Sequence, residues 1–252
     1  MMVNTQGVRA REVVVLAGPG AIGMAIARRI GAGRKLLVAD LSSEAAGRRV
    51  EELAEAGFTA IPAKLDLANR DDIVALAAQA AELGEIAHVI NAAGVSPSQA
   101  SIDTILQVDL YGTAALLEEF GKVVAPGGSG IVISSQSGHR LPVLSRAENE
   151  ALATTPVEDL LGLAMLAPEQ VGTTLRAYQL SKRCNVLRVA SQALEWGRRG
   201  ARLNSISPGI VMTPLASDEI NGPRGEAYRK MLELAPAGRA ATPTRSPPSQ
   251  SS

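Results

Sequence analysis

The chain has 252 residues, of which 46% are hydrophobic and 20% are charged, a composition typical of a folded globular protein. Its 25 lysines and arginines balance 25 aspartates and glutamates, and this zero net charge argues against a nucleic-acid-binding protein. The single cysteine, Cys184, excludes an intrachain disulfide framework. Because no apolar run approaches about 20 residues and residues 1–11 lack a signal-peptide pattern, we expect a cytoplasmic protein without membrane partners.

Short apolar runs alternate with alanine- and leucine-rich stretches along most of the chain. In chain order, the pattern predicts strand 13–17, helix 21–30, strand 35–40, helix 43–56 with Ser43 as its N-cap, strand 59–63, helix 71–83, strands 87–91 and 130–134, helix 176–196 and strand 202–207. Near-continuous apolar strands separated by helices are typical of a parallel sheet covered on both faces. With right-handed crossovers, this pattern predicts a doubly wound α/β fold.

Two segments interrupt this alternation. Residues 140–176 contain short helical pieces with Pro142, Pro156 and Pro168, and we interpret them as an inserted lid over the substrate. Residues 239–252 contain no large apolar residue, and we expect a disordered tail there. The rest of the chain, residues 1–238, is predicted to form a single domain.

A glycine-rich turn follows the first predicted strand and opens the first helix. Residues 18–23 (GPGAIG) have the G-x-G-x-x-G spacing, in which glycines let the backbone approach a pyrophosphate and the helix N-terminus attracts its negative charge. The alternative is an ordinary strand–helix turn without a ligand. In this strand–turn–helix context, the pattern favours dinucleotide binding through Gly18, Gly20, Ile22 and Gly23.

Asp40 ends the second predicted strand, 17 residues after Gly23. A carboxylate at this position can accept both ribose hydroxyl hydrogens of NAD and would repel the extra phosphate of NADP. The alternative is a surface acid at a strand end. Arg34 and Arg48 lie close to Asp40 in sequence, and either could bind the additional phosphate of NADP. We therefore favour NAD without excluding NADP.

Two further strand ends carry candidate binding residues. Asp66 follows the third strand and is either a turn acid or a residue that contacts a ligand. Asn91-Ala92-Ala93-Gly94 ends the fourth strand with small residues, as backbone that passes under a ligand requires.

Tyr178 and Lys182 are spaced i, i+4 on a predicted helix and therefore share one face. A nearby ammonium favours the phenolate form of a tyrosine, which can then exchange a proton with an alcohol or ketone oxygen. Taken alone, the pair is more typical of two surface residues of a helix.

The order of these motifs resembles that of a known family. The glycine turn, Asn91–Gly94, Ser134-Ser135, Tyr178–Lys182 and Asn204–Gly209 follow one another as in the short-chain dehydrogenases/reductases, over residues 13–213. The resemblance implies a Rossmann-like sheet that binds NAD(H) or NADP(H). It also implies hydride transfer between the nicotinamide and a carbinol or carbonyl carbon.

The resemblance also implies a role for each matching residue. Tyr178 would be the acid/base that exchanges the hydroxyl proton, Lys182 would favour its phenolate and bind the nicotinamide ribose, and Ser135 would hydrogen-bond the substrate oxygen. The other matching residues would bind the cofactor: Asp66 and Leu67 at the adenine, Asn91, Ala92, Ala93 and Gly94 beneath the cofactor, and Pro208, Gly209, Ile210 and Thr213 at the nicotinamide and diphosphate.

The chain departs from the family's usual pattern inside these motifs. Its glycine turn is one residue shorter than the usual G-x-x-x-G-x-G, so its path over the pyrophosphate is expected to differ. Asp109 stands where many members have a catalytic asparagine that helps hold a proton-relay water. Because an ionised aspartate accepts hydrogen bonds but cannot donate them, we expect a slowed or pH-shifted relay.

Two further departures concern whole segments. The insert separates Ser135 from Tyr178 by 43 positions, and its apolar residues suggest a hydrophobic, steroid-like substrate; they are Leu160, Leu161, Leu163, Met165 and Leu166. Family members usually continue past residues 238–240 through a helix and a last parallel strand, which we expect to be missing. We therefore predict a homodimer through the helices that contain residues 106–120 and 178–196, and not a tetramer.

Other chemistry-bearing residues fit this interpretation less well. His139 follows Ser135 by four residues, but the G-x-S-x-G motif of many hydrolases is missing, so we interpret it as a loop histidine. Ser137 remains open as a second hydroxyl for the substrate oxygen. His88 and Cys184 are interpreted as structural, and no spacing in the sequence resembles a metal site.

The sequence thus predicts an NAD(P)-dependent oxidoreductase of the short-chain alcohol dehydrogenase or carbonyl reductase type, acting on a secondary alcohol or the matching carbonyl compound. The rival is a nicotinamide-dinucleotide-binding protein with little or no turnover, which Asp109 and the missing strand favour. Because a pure binding protein needs no acid/base residues, the combination of Ser135, Tyr178 and Lys182 favours the enzyme.

Overall fold

The computed structural model describes residues 11–222 and 225–243. The described residues up to Ser207 form one compact unit, and those from Pro208 onward form a second. The boundary falls inside the single domain predicted for residues 1–238, which stays a prediction. Most of the tail predicted for residues 239–252 lies outside the described residues, which end at residue 243.

The first unit is built on one parallel sheet. Its strands are β1 (Glu12–Ala17), β2 (Lys35–Asp40), β3 (Thr59–Lys64), β4 (Glu85–Asn91), β5 (Ser129–Ile133) and β6 (Arg202–Ile206). They lie in the order β3-β2-β1-β4-β5-β6, and every neighbouring pair is parallel. The chain winds outward from β1 to β3 and then returns to β4 on the other side of β1, so a crevice opens beyond the carboxyl ends of β1 and β4. The predicted doubly wound α/β fold is confirmed, and within the described chain β6 pairs with β5 alone.

Helices connect these strands and continue into the second unit. They are α1 (Ala21–Ile30), α2 (Ser43–Glu55), α3 (Arg70–Leu83), α4 (Ile102–Ile105), α5 (Thr113–Val123), α6 (Arg146–Thr154), α7 (Pro168–Val171), α8 (Thr174–Arg198), and in the second unit α9 (Pro214–Asn221) and α10 (Gly225–Glu233). A π-helical segment, Leu106–Gly112, joins α4 to α5. Among the helices of the described residues, none has the length and apolar composition needed to cross a bilayer.

The N-cap of α2 differs from the prediction by one residue. Ser42, and not Ser43, is the N-cap, and its hydroxyl accepts the backbone N–H of Ala45 at 3.2 Å. Ser42 has the extended backbone that an N-cap requires, whereas Ser43 already belongs to the helix.

The alternation of side chains along β1 divides the core of the first unit between the two faces of the sheet. Val13 and Val15 belong to a buried cluster that includes residues of α3, α5 and α8. Val14 and Leu16 point the other way and pack with residues of α1 and α2. Because successive residues of a strand point to opposite faces, the continuous apolar run of β1 is what a sheet covered on both sides requires.

The insert is attached to α8 through a buried arginine. Arg188 of α8 is 3% exposed, and its guanidinium donates to the carbonyl oxygens of Leu152 (2.7 Å) and Thr155. These carbonyls lie at the C-terminal end of α6, where helix carbonyls lack intrahelical partners and a positive charge is favourable. The Ser191 hydroxyl donates to the next carbonyl, that of Ala153, at 2.8 Å. One face of α8 is therefore already covered by α6.

The apolar residues of the insert complete the core of the first unit. Leu152, Val157, Leu160, Leu166 and Val171 are buried in the same cluster as the residues of the central strands. Leu160 and Leu166 are 0% and 2% exposed, so they pack inward and do not form an apolar lining for a substrate. The interpretation of the insert as a lid stays a prediction, but much of it is a packed part of the unit.

Trp196, the chain's one tryptophan, lies on α8 and is fully buried against α5 and β5. Its indole nitrogen donates to the carbonyl oxygen of Leu117 at 3.1 Å. Gly130 of β5 lies beneath the ring, and a Cβ atom there would stand 2.6 Å from Cη2 of Trp196 and 2.7 Å from Cδ1 of Leu203. The strand therefore needs glycine at this position to make room for the indole.

We predict that Gly130→Ala lowers the free energy of unfolding by about 1–3 kcal/mol, the usual cost of overpacking a core. Gly47→Ala is the matched control, because a Cβ at Gly47 of α2 would meet nothing within 4 Å. Alanine is favoured over glycine in a helix by up to about 1 kcal/mol, so the control should be neutral or stabilising. Urea unfolding followed by Trp196 fluorescence measures both, and equal stability of Gly130→Ala and the unmodified protein would contradict the packing argument.

Candidate active site

The glycine turn leaves room for a phosphate group at the N-terminus of α1. Gly18 has a φ of +80°, which favours glycine, and a Cβ there would lie 2.4 Å from the backbone of Ala93. Gly20 is the N-cap of α1 and has no side chain that could cap the helix. A Cβ at Gly20 would meet nothing within 4 Å. At Gly23 a Cβ would lie 2.5 Å from the carbonyl oxygen of Gly18. The turn thus combines tight packing at two glycines with open space beside the free N–H groups of the helix, as a pyrophosphate requires.

Asp40 lies at the carboxyl end of β2, and its Oδ1 accepts the backbone N–H of Ser42 at 3.0 Å. Of the two arginines that could bind the additional phosphate of NADP, Arg48 is ion-paired with Glu44. Arg34 pairs with Glu12 and precedes β2, so about six residues of extended chain, roughly 20 Å, separate it from Asp40. Neither arginine is therefore an unpaired cation beside the Asp40 carboxylate.

Asp66 forms a local turn after β3. Its Oδ1 accepts the backbone N–H of Ala68 at 2.9 Å, and its own N–H donates to Oδ2 of Asp72 at 3.0 Å. The neighbouring Leu67 is buried, and its carbonyl oxygen lies 2.4 Å from where a Cβ of Gly112 would stand. These contacts fit the interpretation as a turn acid, and the adenine contact stays a prediction for both Asp66 and Leu67.

The segment that follows β4 contacts the site at Gly94, which has no side chain. Asn91 is buried, and its Nδ2 donates to Oγ1 of Thr113 at 3.1 Å. Among the described residues, Oδ1 of Asn91 has no hydrogen-bond partner. A Cβ on Gly94 would lie 2.9 Å from Oδ1 of Asp109 and 3.3 Å from Nζ of Lys182. The small residues from Ala92 to Gly94 thus let the strand end pack directly against these two charged groups.

Asp109 lies on the π-helical segment and is 1% exposed. Its Oδ1 accepts the backbone N–H of Val95 at 2.8 Å, and its Oδ2 lies 3.2 Å from Nζ of Lys182. Burial raises the pKa of Asp109, while the Lys182 ammonium and the Val95 N–H act in the opposite direction. The structure thus places an acid in direct contact with the lysine of the Tyr-x-x-x-Lys pair, a contact the sequence analysis did not anticipate.

Lys182 and Tyr178 share one face of α8, as the i, i+4 spacing predicts. Nζ of Lys182 lies 5.3 Å from the centroid of the Tyr178 ring, and Lys182 is 4% exposed. Burial alone would lower the pKa of Lys182, but the charge of Asp109, and to a lesser extent that of Tyr178, raises it overall. Lys182 is therefore held as an ammonium beside the tyrosine ring.

Ser135 is joined to the same turn of α8 through its neighbour. The Ser134 hydroxyl donates to the carbonyl oxygen of Lys182 at 2.8 Å. Ser135 follows as the N-cap of a 3₁₀ helix (Gln136–His139), and its Oγ accepts the backbone N–H of Ser137 at 3.1 Å. The segment that carries Ser135 is thus fixed to the helix turn that carries Lys182.

Asn185 is a further residue of this cluster that the sequence analysis missed. It is 1% exposed and lies three residues after Lys182 on α8. With its amide in the orientation that satisfies both groups, Nδ2 donates to the carbonyl oxygens of Asp109 (2.9 Å) and Ser181 (3.0 Å). It therefore ties the π-helical segment to α8 beside the ion pair, and its i, i+3 spacing from Lys182 was the available signal.

The remaining predicted cofactor residues, Pro208, Gly209, Ile210 and Thr213, belong to the second unit. The carbonyl oxygen of Ile210 accepts the N–H of Ala241 at 2.9 Å. The Thr213 hydroxyl caps α9 by accepting the N–H of Ala216 at 3.1 Å. These bonds define the local structure of the segment, and its contact with the nicotinamide and diphosphate stays a prediction.

The other chemistry-bearing residues have structural contacts. His139 has its Nε2 2.9 Å from Oγ of Ser207, and Nδ1 of His88 lies 2.9 Å from Oγ of Ser129. Cys184 is fully buried, and burial raises the pKa of its thiol to about 11, so it is a packed residue and not a reactive thiolate. Within residues 11–222 and 225–243, no cluster of histidines, cysteines and acids could hold a metal ion.

Comparison with known proteins identifies the family. A family model described as enoyl-(acyl carrier protein) reductase matches residues 17–147 and 142–246. The chain is 36% identical over 230 residues to the short-chain dehydrogenase/reductase bsc3 of Alternaria brassicicola, covering 91% of this chain and 84% of that protein. The chain belongs to the short-chain dehydrogenase/reductase family. The resemblance recognised from its motifs is thereby confirmed.

Two further comparisons place this short-chain dehydrogenase/reductase among its relatives. It is 30% identical over 247 residues to the D-threitol dehydrogenase of Mycolicibacterium smegmatis, covering 92% of this chain and 81% of that one. The solved structure of a 7α-hydroxysteroid dehydrogenase with NADH and 7-oxo glycochenodeoxycholic acid superposes with a TM-score of 0.69 at 21% identity. That match covers 96% of this chain and 87% of the other. At this identity, the likeness to the solved structure shows the fold alone.

Proposed function

We propose that this protein is an NAD-dependent oxidoreductase that interconverts a secondary alcohol and the matching ketone. The observation that carries the proposal is the buried Lys182 ammonium beside the Tyr178 ring, on a helix turn to which the Ser134-Ser135 segment is hydrogen-bonded. A dinucleotide-binding protein without turnover has no need of this arrangement. The relative named D-threitol dehydrogenase supports an alcohol as the substrate class.

The chain's own residues divide the chemistry between proton transfer and positioning. Tyr178 gives or takes the hydroxyl proton of the substrate, with the Lys182 ammonium beside its ring. Ser135 and Tyr178 donate hydrogen bonds to the substrate oxygen as it acquires negative charge. The bound nicotinamide supplies the carbon that accepts or gives the hydride. The open space at Gly20 and the N-terminus of α1 would hold its pyrophosphate.

Asp40 is the basis for preferring NAD over NADP. Its carboxylate accepts the Ser42 N–H and would also accept from the hydroxyls of the adenosine ribose. A phosphate on that ribose would meet this negative charge, while the nearby Arg48 is already paired with Glu44. Of two solved structures with a similar fold, a polyketide ketoreductase contains NADPH and a 7α-hydroxysteroid dehydrogenase contains NADH, so family membership alone does not decide the cofactor.

The substrate itself is less constrained. A steroid-like compound was suggested by five apolar residues of the insert, of which Leu160 and Leu166 are buried in the core. Leu161 is 36% exposed, and Leu163 and Met165 are only partly buried, so a hydrophobic substrate stays a proposal. We therefore propose a secondary alcohol without specifying its size. The homodimer also stays a proposal, and it would have to use parts of α8 other than the face that α6 covers.

A second candidate is a protein that binds the dinucleotide with little turnover. The contact between Asp109 and Lys182 favours it, because a paired carboxylate partly cancels the charge that should act on Tyr178. Wild-type activity near zero with intact cofactor binding would support this candidate.

We predict that Tyr178→Phe lowers turnover by about 10²–10⁴-fold, the usual contribution of a general acid/base, while NADH binding changes by less than about tenfold. Turnover is measured with a panel of secondary alcohols and ketones by nicotinamide absorbance, and binding by thermal stabilisation. Tyr111→Phe is the matched control, since the Tyr111 hydroxyl contacts the exposed Glu158 at 3.3 Å. Equal loss in both variants, or none in Tyr178→Phe, would reject the proposed role.

We predict that NADH raises the melting temperature more than NADPH at equal concentration, because a ligand bound by the native state alone stabilises it by mass action. Asp40→Ser should weaken NADH binding by about tenfold or more and narrow the preference over NADPH. Asp103→Ser, which removes an exposed acid from the first turn of α4, is the control. A preference for NADPH in the unmodified protein would overturn the assignment of NAD.

We predict that Asp109→Asn raises turnover near neutral pH, because asparagine is neutral and can both accept and donate hydrogen bonds. Burial raises the pKa of Asp109, so in the folded protein it becomes protonated, and therefore neutral, at a less acidic pH than an exposed aspartate. The ratio of variant to wild-type turnover should then fall toward one as the pH is lowered. This ratio is measured from pre-steady-state and steady-state rates of both proteins between acidic and neutral pH. An unchanged or lower turnover of Asp109→Asn at neutral pH would contradict the prediction.

A further inference from the structure

A small cavity lies on the side of α8 next to the catalytic turn. It has a volume of about 200 Å³ and lies between the 3₁₀ helix after Ser135, the loop 141–144, Asn149 of α6 and Arg183 of α8. At about 30 Å³ for each water of the liquid, this volume has room for a small organic ion. Its lining includes the positively charged Arg183, the imidazole of His139 and no acidic residue. The cavity is therefore electrostatically suited to an anion.

Arg183 is half-buried and has no carboxylate partner within the described part of the chain. Its guanidinium donates twice to one neutral atom: Nε and Nη2 donate to Oδ1 of Asn149 at 3.0 and 2.8 Å. Two acids flank Asn149 on α6, and within the described residues neither Glu148 nor Glu150 forms an ion pair with Arg183; the Glu148 carboxylate accepts the N–H of Ser145 at 2.7 Å. A partly desolvated guanidinium without a counter-charge is unfavourable and favours binding of an anion.

The contacts of Asn149 fix the direction in which the guanidinium can still donate. Nδ2 of Asn149 donates to the carbonyl oxygens of Leu144 (3.0 Å) and Ser145 (2.8 Å), so the amide is held in place at both ends. Because Asn149 uses Nε and one side of Nη2 of Arg183, the N–H groups that remain are on Nη1 and the outer side of Nη2. This pair forms the fork that binds the two oxygens of a carboxylate in parallel.

We propose that this cavity binds the carboxylate group of a small organic acid through the free fork of Arg183, with His139 as a second contact. None of the residues that line the cavity has a role in the proposed dinucleotide binding or alcohol chemistry. Gly138 packs on the backbone of Lys182 and Arg183, where a Cβ would lie 2.7 Å from the carbonyl carbon of Lys182 and the nitrogen of Arg183. An acid bound here would thus contact the 3₁₀ helix that begins at Ser135.

Malonate is a suitable probe, because it carries two carboxylates on a three-carbon chain. Its effect is measured on the full chain by thermal unfolding followed through Trp196 fluorescence, with ionic strength held constant by chloride. We expect a saturable rise in melting temperature for the unmodified protein, as a ligand of the native state produces. Malonamide, which is neutral and of similar shape, should produce no rise, and this comparison needs no variant.

Arg183→Gln should weaken malonate binding by about tenfold or more, and Arg183→Lys, which keeps the charge but lacks the fork, should be intermediate. Arg198→Gln is the control, since Arg198 is an exposed arginine of the same helix and is paired with Glu195. The affinity of this variant for malonate should stay within about twofold of that of the unmodified protein. The proposal is overturned by equal effects of malonate and malonamide, by a rise that does not saturate below about 50 mM, or by unchanged affinity in Arg183→Gln. None of these outcomes depends on whether the protein oxidises an alcohol.

Discussion

The arrangement of the site depends on one buried ion pair, between Asp109 and Lys182. Both side chains are withdrawn from water, so neither charge is stable there without the other. Gly94 has no side chain at the one place where a Cβ would enter this contact, and Asn185 holds the backbone of Asp109 against α8. The end of β4, the π-helical segment and α8 thus converge on the pair, and moving any one of them would leave a buried charge without its partner.

The pair also sets the electrostatics around Tyr178. A carboxylate at 3.2 Å compensates much of the Lys182 charge that faces the Tyr178 ring. An asparagine in place of Asp109 would hold the same lysine without cancelling its charge. The proposed acid/base chemistry at Tyr178 therefore depends on how far Asp109 cancels the charge of Lys182.

Strand–helix alternation was sufficient to predict the sheet, because apolar strands bounded by polar turns are a local property of the sequence. The predicted bounds of β2 and α1 agree with the structure, while the cap at Ser42 differs by one residue because two adjacent serines offered the same signal. The site was predictable where it depends on fixed spacing, as for Tyr178 and Lys182. The contact between Asp109 and Lys182 was not, since it joins residues 73 positions apart through a π-helical turn that no periodicity in the sequence indicates. The packing of Leu160 and Leu166 likewise depends on tertiary contacts, which is why they were mistaken for a substrate lining.

Helix α8 places three different interactions within ten residues, because successive residues of an α-helix point about 100° apart. Lys182 points to the ion pair, Arg183 to the cavity beside it, and Arg188 to the end of α6. The insert is attached to the last two of these and so contacts the same helix that carries the proposed acid/base. The contacts of the insert with Arg183 and Arg188, and the hydrogen bond from Ser134 to the carbonyl oxygen of Lys182, hold the helix that carries Tyr178 without requiring any part of the insert to lie over the substrate.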